Sequence, residues 1–326
     1  MGKVAQTAAI GLVAALGSVC TPSAVAGQQA ALQMTRAGDK PYVFVAAPRE
    51  SGARGRRDYG PIAAFLTKVL DHKVIYRHPD GWITYESWIW TDHADIYFDG
   101  PQFMDWRLRH LDQTLGPRVP QSQDWRLYTW KGSPVHTVQQ AAAGQILCAP
   151  PFPNWGSLWV MSYFKDPVRQ PYLRNVRGWK AIFHAVRAHT CTLGIGPRLS
   201  LHYLDPQHKG ITIIQKGPHL PNQGFTISAR LPLALREKIV QALLSPAGQQ
   251  AMRRLRRRFA HGHKLVPGDA AAYRGADRVL EAQWRDVYGS EIRHDVAEDI
   301  RREHLPVSQA RAQQAVGNET ADFVSG

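Results

Sequence analysis

The sequence predicts an α/β protein with parallel sheets whose connecting loops gather on one side. Three observations carry that expectation. Short apolar, β-prone runs recur: Tyr42-Val43-Phe44-Val45-Ala46-Ala47, Ala94-Asp95-Ile96-Tyr97-Phe98-Asp99, Gln145-Ile146-Leu147-Cys148-Ala149 and Thr190-Cys191-Thr192-Leu193-Gly194-Ile195. Each stops at Pro or Gly: Pro48, Gly100-Pro101, Pro150-Pro151 and Gly196-Pro197. Stretches with helical apolar spacing separate them, which is the pattern of buried parallel strands joined by helical crossovers. Ligands of such sheets bind outside the carboxyl ends of the strands, so Asp99 and the backbone of Gly100 are expected to face a cleft.

The beginning of the chain indicates a compartment. Lys3 supplies a positive start, residues 8–19 are apolar but too few to span a bilayer, and Ala24-Val25-Ala26 places small residues where a signal peptidase cuts. Residues 1–26 therefore read as a cleavable secretory signal. Cys20 raises lipidation, but Val19 before it is too bulky for a good lipobox. No later stretch is long and apolar enough to cross a membrane.

The chain of 326 residues carries a formal charge of +14. The charge is uneven, with Arg253, Arg254, Arg256, Arg257 and Arg258 in one run. Behind a secretory signal that run reads as a solvated helix face, and nucleic acid is not an expected partner. Ten Trp and eleven Tyr provide rings for cores and clefts alike. Beyond the signal the cysteines are Cys148 and Cys191. An oxidising compartment permits a bridge. The strand reading sets one thiol near the end of its strand and the other near the start of a neighbour, too far apart for disulfide geometry. Two reduced, buried cysteines are the expectation.

In chain order, a strand at residues 42–47 leads into a Gly- and Arg-rich loop, residues 48–58, suited to a cleft. A helix follows from Tyr59-Gly60-Pro61 through Leu70, with Pro61 in its first turn. A short strand at 73–76 precedes a helical segment with Trp82, Tyr85, Trp88 and Trp90. Most of those rings belong to the core, with Trp82 or Tyr85 the best candidates for a cleft wall. A helix covers 104–111 and a strand 124–130. The turn Lys131-Gly132-Ser133-Pro134 reads as a hinge, and a helix starts at Val138.

The plan then repeats as a second lobe. Asn154 after Pro150-Pro151-Phe152-Pro153 caps a helix, leaving amides at Gly156 and Ser157 as an anion site. A strand at 175–179, a helix at 179–187 and strands at 190–197 and 211–214 follow. A strand at 224–229 returns to the first lobe. Helices cover 233–244, 246–259 and 279–288, and residues 290–326 form a polar tail of the disordered type.

Several motifs taken together resemble a family. They are Pro48-Arg49-Glu50, Tyr59-Gly60-Pro61-Ile62-Ala63, Asp95-Ile96-Tyr97-Phe98-Asp99-Gly100-Pro101, Cys148-Ala149-Pro150 with Asn154 and Gly156, and Asp166-Pro167 with Arg169-Gln170-Pro171. They are similar to the phosphate/phosphite/phosphonate-type substrate-binding proteins of ABC importers, over residues 42–288. The resemblance implies a type 2 periplasmic binding protein fold, two α/β lobes closing on a ligand across two crossing segments. Those crossings are expected at residues 129–132 and 214–217. Lobe 1 would then hold residues 41–130 and 218–289, and lobe 2 residues 131–217.

The sequence also departs from the family. Its better-known phosphonate binders have a Ser/Thr-rich helix start in the second lobe, where this chain has Ser157 as the single hydroxyl. Aminophosphonate binders hold the amine with acids from that lobe, and the strand at 191–197 has none and is followed by Arg198.

The expected function is capture of a small anion in the periplasm by a monomeric solute-binding protein, without cofactor or metal, for a membrane permease and ATPase. The ligand contacts expected are the amides of Gly156 and Ser157, polar groups near Glu50 and Asp99, rings of Tyr59, Trp82 or Trp155, and cations at Arg49 or Arg198. Asp99 would accept the proton of a singly protonated oxyanion or hold a loop in place. A sensory module of the same fold, presenting its ligand state to a membrane protein, is the alternative. A secreted enzyme is a third class, unsupported by any Gly-x-Ser-x-Gly or His-Glu-x-x-His motif.

Overall fold

The structure is a computed structural model and describes residues 40–142 and 144–280. The expected signal peptide, the polar tail and nearly all of the expected helix at 279–288 lie outside the described residues. No helix among the described residues is long and apolar enough to cross a membrane.

Strand β1 (Tyr42–Ala46) leads through a short loop into helix α1 (Gly52–Leu70). The helix starts seven residues before the expected Tyr59, because Ser51 caps it by accepting from the Arg54 amide. Pro61 therefore lies inside the helix instead of opening it. Its ring is exposed, so the carbonyl it deprives of a partner faces solvent. Strand β2 (Val74–Arg77), helix α2 (Trp82–Trp90), strand β3 (Ile96–Asp99), helix α3 (Pro101–His110) and strand β4 (Thr114–Arg118) complete the first run.

The second run comprises β5 (Ser122–Trp130), β6 (Ile146–Ala149), α4 (Trp155–Met161), β7 (Tyr172–Asn175), α5 (Trp179–Arg187), β8 (Leu193–Pro197), α6 (Arg198–Leu204) and β9 (Ile211–Pro221). The expected helix from Val138 is one 3-10 turn, Gln139–Ala141. The strand expected at 175–179 lies upstream as β7, which leaves Val176, Arg177 and Gly178 as a loop. The return consists of β10 (Gly224–Ile227), α7 (Leu233–Leu244), α8 (Pro246–Ala251) and α9 (Arg253–Phe259). The single helix expected over 246–259 is broken at Met252.

Two five-stranded sheets result, ordered β2-β1-β3-β10-β4 and β7-β6-β8-β5-β9. Each has three parallel strands followed by an antiparallel strand that arrives from the crossing side. The chain passes between sheets at residues 119–121 and returns at 222–223, not at 129–132 and 214–217. Strand β5 is thus the fourth strand of the second sheet, and the long β9 pairs with it as far as Pro221. This is the two-lobed plan that the resemblance implies.

Alternation in β1 and β3 explains the packing. Phe44, Ala46, Ile96 and Phe98 face one core with Tyr59, Ile62 and Leu66 of α1. Val45, Ala47 and Tyr97 face the other, with Tyr85 and Ile89 of α2 and Phe103 and Trp106 of α3. A parallel sheet covered on both faces reads as an unbroken apolar run. Asp99 shares the phase of Tyr97, so its side chain goes under the helices.

The cysteines form a disulfide, Cys148–Cys191, with Cα atoms 5.8 Å apart. The expectation of reduced thiols fails for a local reason. β6 and β8 are parallel neighbours with Cys148 opposite Gly194, as that reasoning assumed. The chain bends at Thr192 before β8 begins, which brings Cys191 back under its neighbour.

The last described stretch lies along α3. Asp277 accepts from Arg109 at 2.8 Å, and its amide donates to Asp105 at 3.2 Å. Burial, together with the negative charge of Asp277, pushes the Asp105 carboxyl up to about 6. A carboxyl raised in the folded state stabilises below its unfolded value near 3.8, and that stability is lost as pH rises through 6. The expected result is that Asp105→Asn, which keeps a carbonyl for the Asp277 amide, flattens the fall in stability across that window and raises the urea midpoint at pH 7. Urea titrations from pH 4 to 7 test this, and an unchanged slope would contradict it.

Candidate functional site

The carboxyl ends of β1, β3, β6 and β7 converge on a cavity of about 510 Å³ between the two sheets. From the first lobe come Pro48 and Arg49 after β1, the turn Gly100 to Phe103 after β3, and Trp82. From the second come Pro150, Pro151, Asn154 and Trp155 after β6, and Arg177, Gly178 and Trp179 after β7. Gln123 and Gln223, beside the two crossings, close the back, and Arg258 reaches in from α9. The topology alone selects these positions.

Charge in the cavity has one sign. Arg49, Arg177 and Arg258 line it, and among the described residues no carboxylate does. Arg258 is held by Glu50 at 2.5 Å. Arg49 lies over the Phe259 ring, 5.6 Å from its centre, and its Nη1 is buried with no hydrogen-bond partner. Such a group is costly unless something arrives to pair with it.

Gln102 supplies the complementary orphan. Its Nε2 donates to the Pro153 carbonyl across the lobes at 2.8 Å. A carbonyl only accepts, so the amide NH2 must point there, and Oε1 is left buried without a partner. Gly100 makes room for it, since a Cβ at that residue would lie 2.6 Å from Gln102 Oε1. Gly100 also caps α3 without a side chain, and Pro101 has no N–H. The first helical bond is Met104 N to Gly100 O at 3.1 Å. The first turn of α3 is thus open toward the cavity.

Rings form the walls. Trp82 stacks on Phe103 at 6.4 Å, and Trp125 sits behind Trp155 and edge-on to Trp179 at 5.1 Å. Trp155 donates to the Ala276 carbonyl at 3.1 Å, tying the second lobe to the segment on α3.

Of the residues singled out in the sequence, Arg49, Trp82, Gly100, Asn154 and Trp155 line this cavity, and the other six do not. Asp99 is wholly buried, paired with Arg107 at 2.7 and 2.8 Å and bonded by the Tyr85 hydroxyl. Burial, then the Asp99 charge, raises Tyr85 well above its ordinary value, so its hydroxyl stays a donor. Glu50 gives one oxygen to Arg258 and keeps the other buried without a partner, and Tyr59 packs in the core between Phe44 and Tyr76.

In the second lobe the cap takes one of the two amides of the expected helix-start site, and the Ser157 hydroxyl is taken by the loop. Asn154 Oδ1 accepts from the Gly156 amide at 3.0 Å, and the buried Ser157 hydroxyl donates to the Pro150 carbonyl at 2.7 Å. Gly156 is needed for packing, because a Cβ there would run into the Trp125 ring. Arg198 is largely exposed and bonded to Asp124 at 2.7 Å.

Sequence reasoning missed Gln102, Arg177, Trp179, Gln123, Gln223 and Arg258. Gln102 follows the turn that was singled out. Arg177 stands two residues past the end of its strand, as Arg49 stands three past β1, but the strand was placed too late for that to show.

A profile of the family described as "ABC transporter, phosphonate, periplasmic substrate-binding protein" matches residues 44–273. No curated protein sequence matches. Among solved structures, XAC2383 from Xanthomonas citri bound to ATP is similar with a TM-score of 0.57 at 12% identity, over 75% of this chain and 97% of that one. PhnD1 from Prochlorococcus marinus (MIT 9301) in complex with methylphosphonate is similar with a TM-score of 0.53 at 9% identity, over 76% and 99%. At these identities the likeness is one of fold.

Proposed function

Because the chain belongs to the phosphonate-type periplasmic substrate-binding proteins of ABC transporters, we propose that its cleft captures a singly protonated oxyanion of the phosphate or phosphonate class. The family is a transport family and not an enzyme family, and its members work with a membrane permease and ATPase. The observation that carries the choice of ligand is the pair of buried orphans, Arg49 Nη1 and Gln102 Oε1. A guanidinium that donates to an anionic oxygen, in one cavity with an amide oxygen that accepts from a hydroxyl, suits an ion holding both P–O⁻ and P–OH. Gln102 takes the proton-accepting part that the sequence had given to Asp99.

Arg177 adds charge from the facing lobe. Trp82, Phe103, Trp155 and Trp179 supply walls for an apolar substituent. With no carboxylate lining the cavity, an ammonium group would have no counter-charge, so aminophosphonates are disfavoured. The methylphosphonate held by PhnD1 is of the favoured kind. The protein acts as a monomer, closing its lobes through the Gln102–Pro153 bond.

Calorimetric titration with phosphate, phosphite, methyl-, ethyl- and 2-aminoethylphosphonate tests the reading. Binding of an amine-free member is expected, and a ligand at a hundred times its dissociation constant adds roughly 2.7 kcal/mol to stability. Arg49→Gln is expected to weaken that binding by about 1.5–3 kcal/mol, the worth of a hydrogen bond to a charged group. The free variant should lose little stability, since the donor that it removes is buried without a partner. Preference for the aminophosphonate, or silence from every anion, would sink the proposal.

A further inference from the structure

A second basic site lies outside the cleft. Arg54, Arg57 and Asp58 of α1 face Arg254, Arg257 and Arg258 of α9 across a groove of about 350 Å³. On both helices the spacing is i, i+3, i+4, which stacks three side chains on one face. Five of the six lining residues are arginines. Asp58 is shared among Arg54 at 3.5 Å, Arg57 at 3.6 Å and Arg258 at 3.8 Å. Arg258 is already neutralised by Glu50.

Among the described residues, Arg254 and Arg257 make no ion pair, and both are exposed. The arginine run is therefore not one uniform solvated face. Arg256 is structural, donating to the carbonyls of Gln249, Gly262 and His263 at 2.6–3.0 Å. Arg254 and Arg257 are pointed instead at more arginines.

We propose that this groove binds clustered phosphates, either a soluble oligophosphate or the phosphates of an anionic lipid surface. Like charges concentrated on facing helices repel one another, and a multivalent anion relieves that repulsion. Guanidinium forks take phosphate oxygens two at a time, so the forks of Arg54, Arg57, Arg254 and Arg257 exceed what one oxyanion can use. No lysine lines the groove, consistent with bidentate recognition rather than diffuse charge. The assignment does not depend on the ligand of the cleft.

The test titrates the full chain at low ionic strength with tripolyphosphate, and in parallel floats it with phosphatidylglycerol/phosphatidylcholine vesicles. Arg258 borders both cavities, so the variants avoid it. Binding to one of the two probes is expected, identifying the source. R254Q/R257Q should weaken that binding tenfold or more and leave cleft binding unchanged, and Arg49→Gln should leave groove binding within twofold. Salt should weaken it, because the groove is exposed. The inference is overturned if neither probe binds, if R254Q/R257Q binds as the parent does, or if Arg49→Gln abolishes binding.

Discussion

Replacing Asp99 by alanine is expected to destabilise the protein by about 3–5 kcal/mol, the typical cost of breaking a buried ion pair by removing one partner. Asp99 and Arg107 are both completely buried, joined by two hydrogen bonds. Arg107 also donates to Thr226 at 3.0 Å and lies over the Tyr97 ring at 4.3 Å. Without the carboxylate, a guanidinium would be left in the first lobe's core with one hydroxyl and one ring for company.

Urea unfolding reads the loss directly. A second variant separates charge from packing: Asp99→Leu with Arg107→Met removes both charges and should recover much of the stability. A single variant that unfolds like the parent but fails to bind the ligand would return Asp99 to the cleft wall and contradict the buried-pair account.

Loss of the Cys148–Cys191 bridge should have a comparable effect. The cysteines are 43 residues apart in sequence, and closing a loop of that length lowers unfolded-state entropy by about 4 kcal/mol in the chain-entropy description. The loop contains α4, β7 and α5, and with them Asn154, Trp155, Arg177 and Trp179 of the cleft. Cys148→Ser with Cys191→Ser is therefore expected to lower the urea midpoint and also to weaken ligand binding, through looser positioning of the second-lobe wall. Both sulfurs are fully buried, so reductant alone should act slowly on the native protein. Thiol titration after unfolding should find two more groups with reductant than without. Equal counts, or equal midpoints for parent and double variant, would overturn the prediction.

The strand ends were legible in the sequence because the signals are local. An apolar run stopping at Pro or Gly marks a buried strand and its exit, and the sheet rule then places the cleft. Arg49, Gly100, Asn154 and Trp155 were found this way. The resemblance, carried by several short motifs, anticipated the two-lobed plan, although the crossings fell elsewhere because β5 belongs to the second sheet and β9 pairs with it far beyond the apolar core that marked it.

What only the tertiary structure decided is which polar groups at those exits stay open. Asp99 sits where the pattern says a ligand group should, yet the alternation of β3 turns it under α3. Its circuit closes through Arg107 on Thr226, 119 residues farther along the chain. The Ser157 hydroxyl and the Gly156 amide are taken by the loop and cap beside them, Arg198 by Asp124, and one oxygen of Glu50 by Arg258. Gln102, without special standing in the sequence, keeps a free oxygen because Pro153 of the other lobe takes its amide. Local sequence determines which residue stands at a strand's end. Whether its hydrogen bonds are already satisfied depends on partners brought near only by folding, and in this protein that separates the cleft wall from the core.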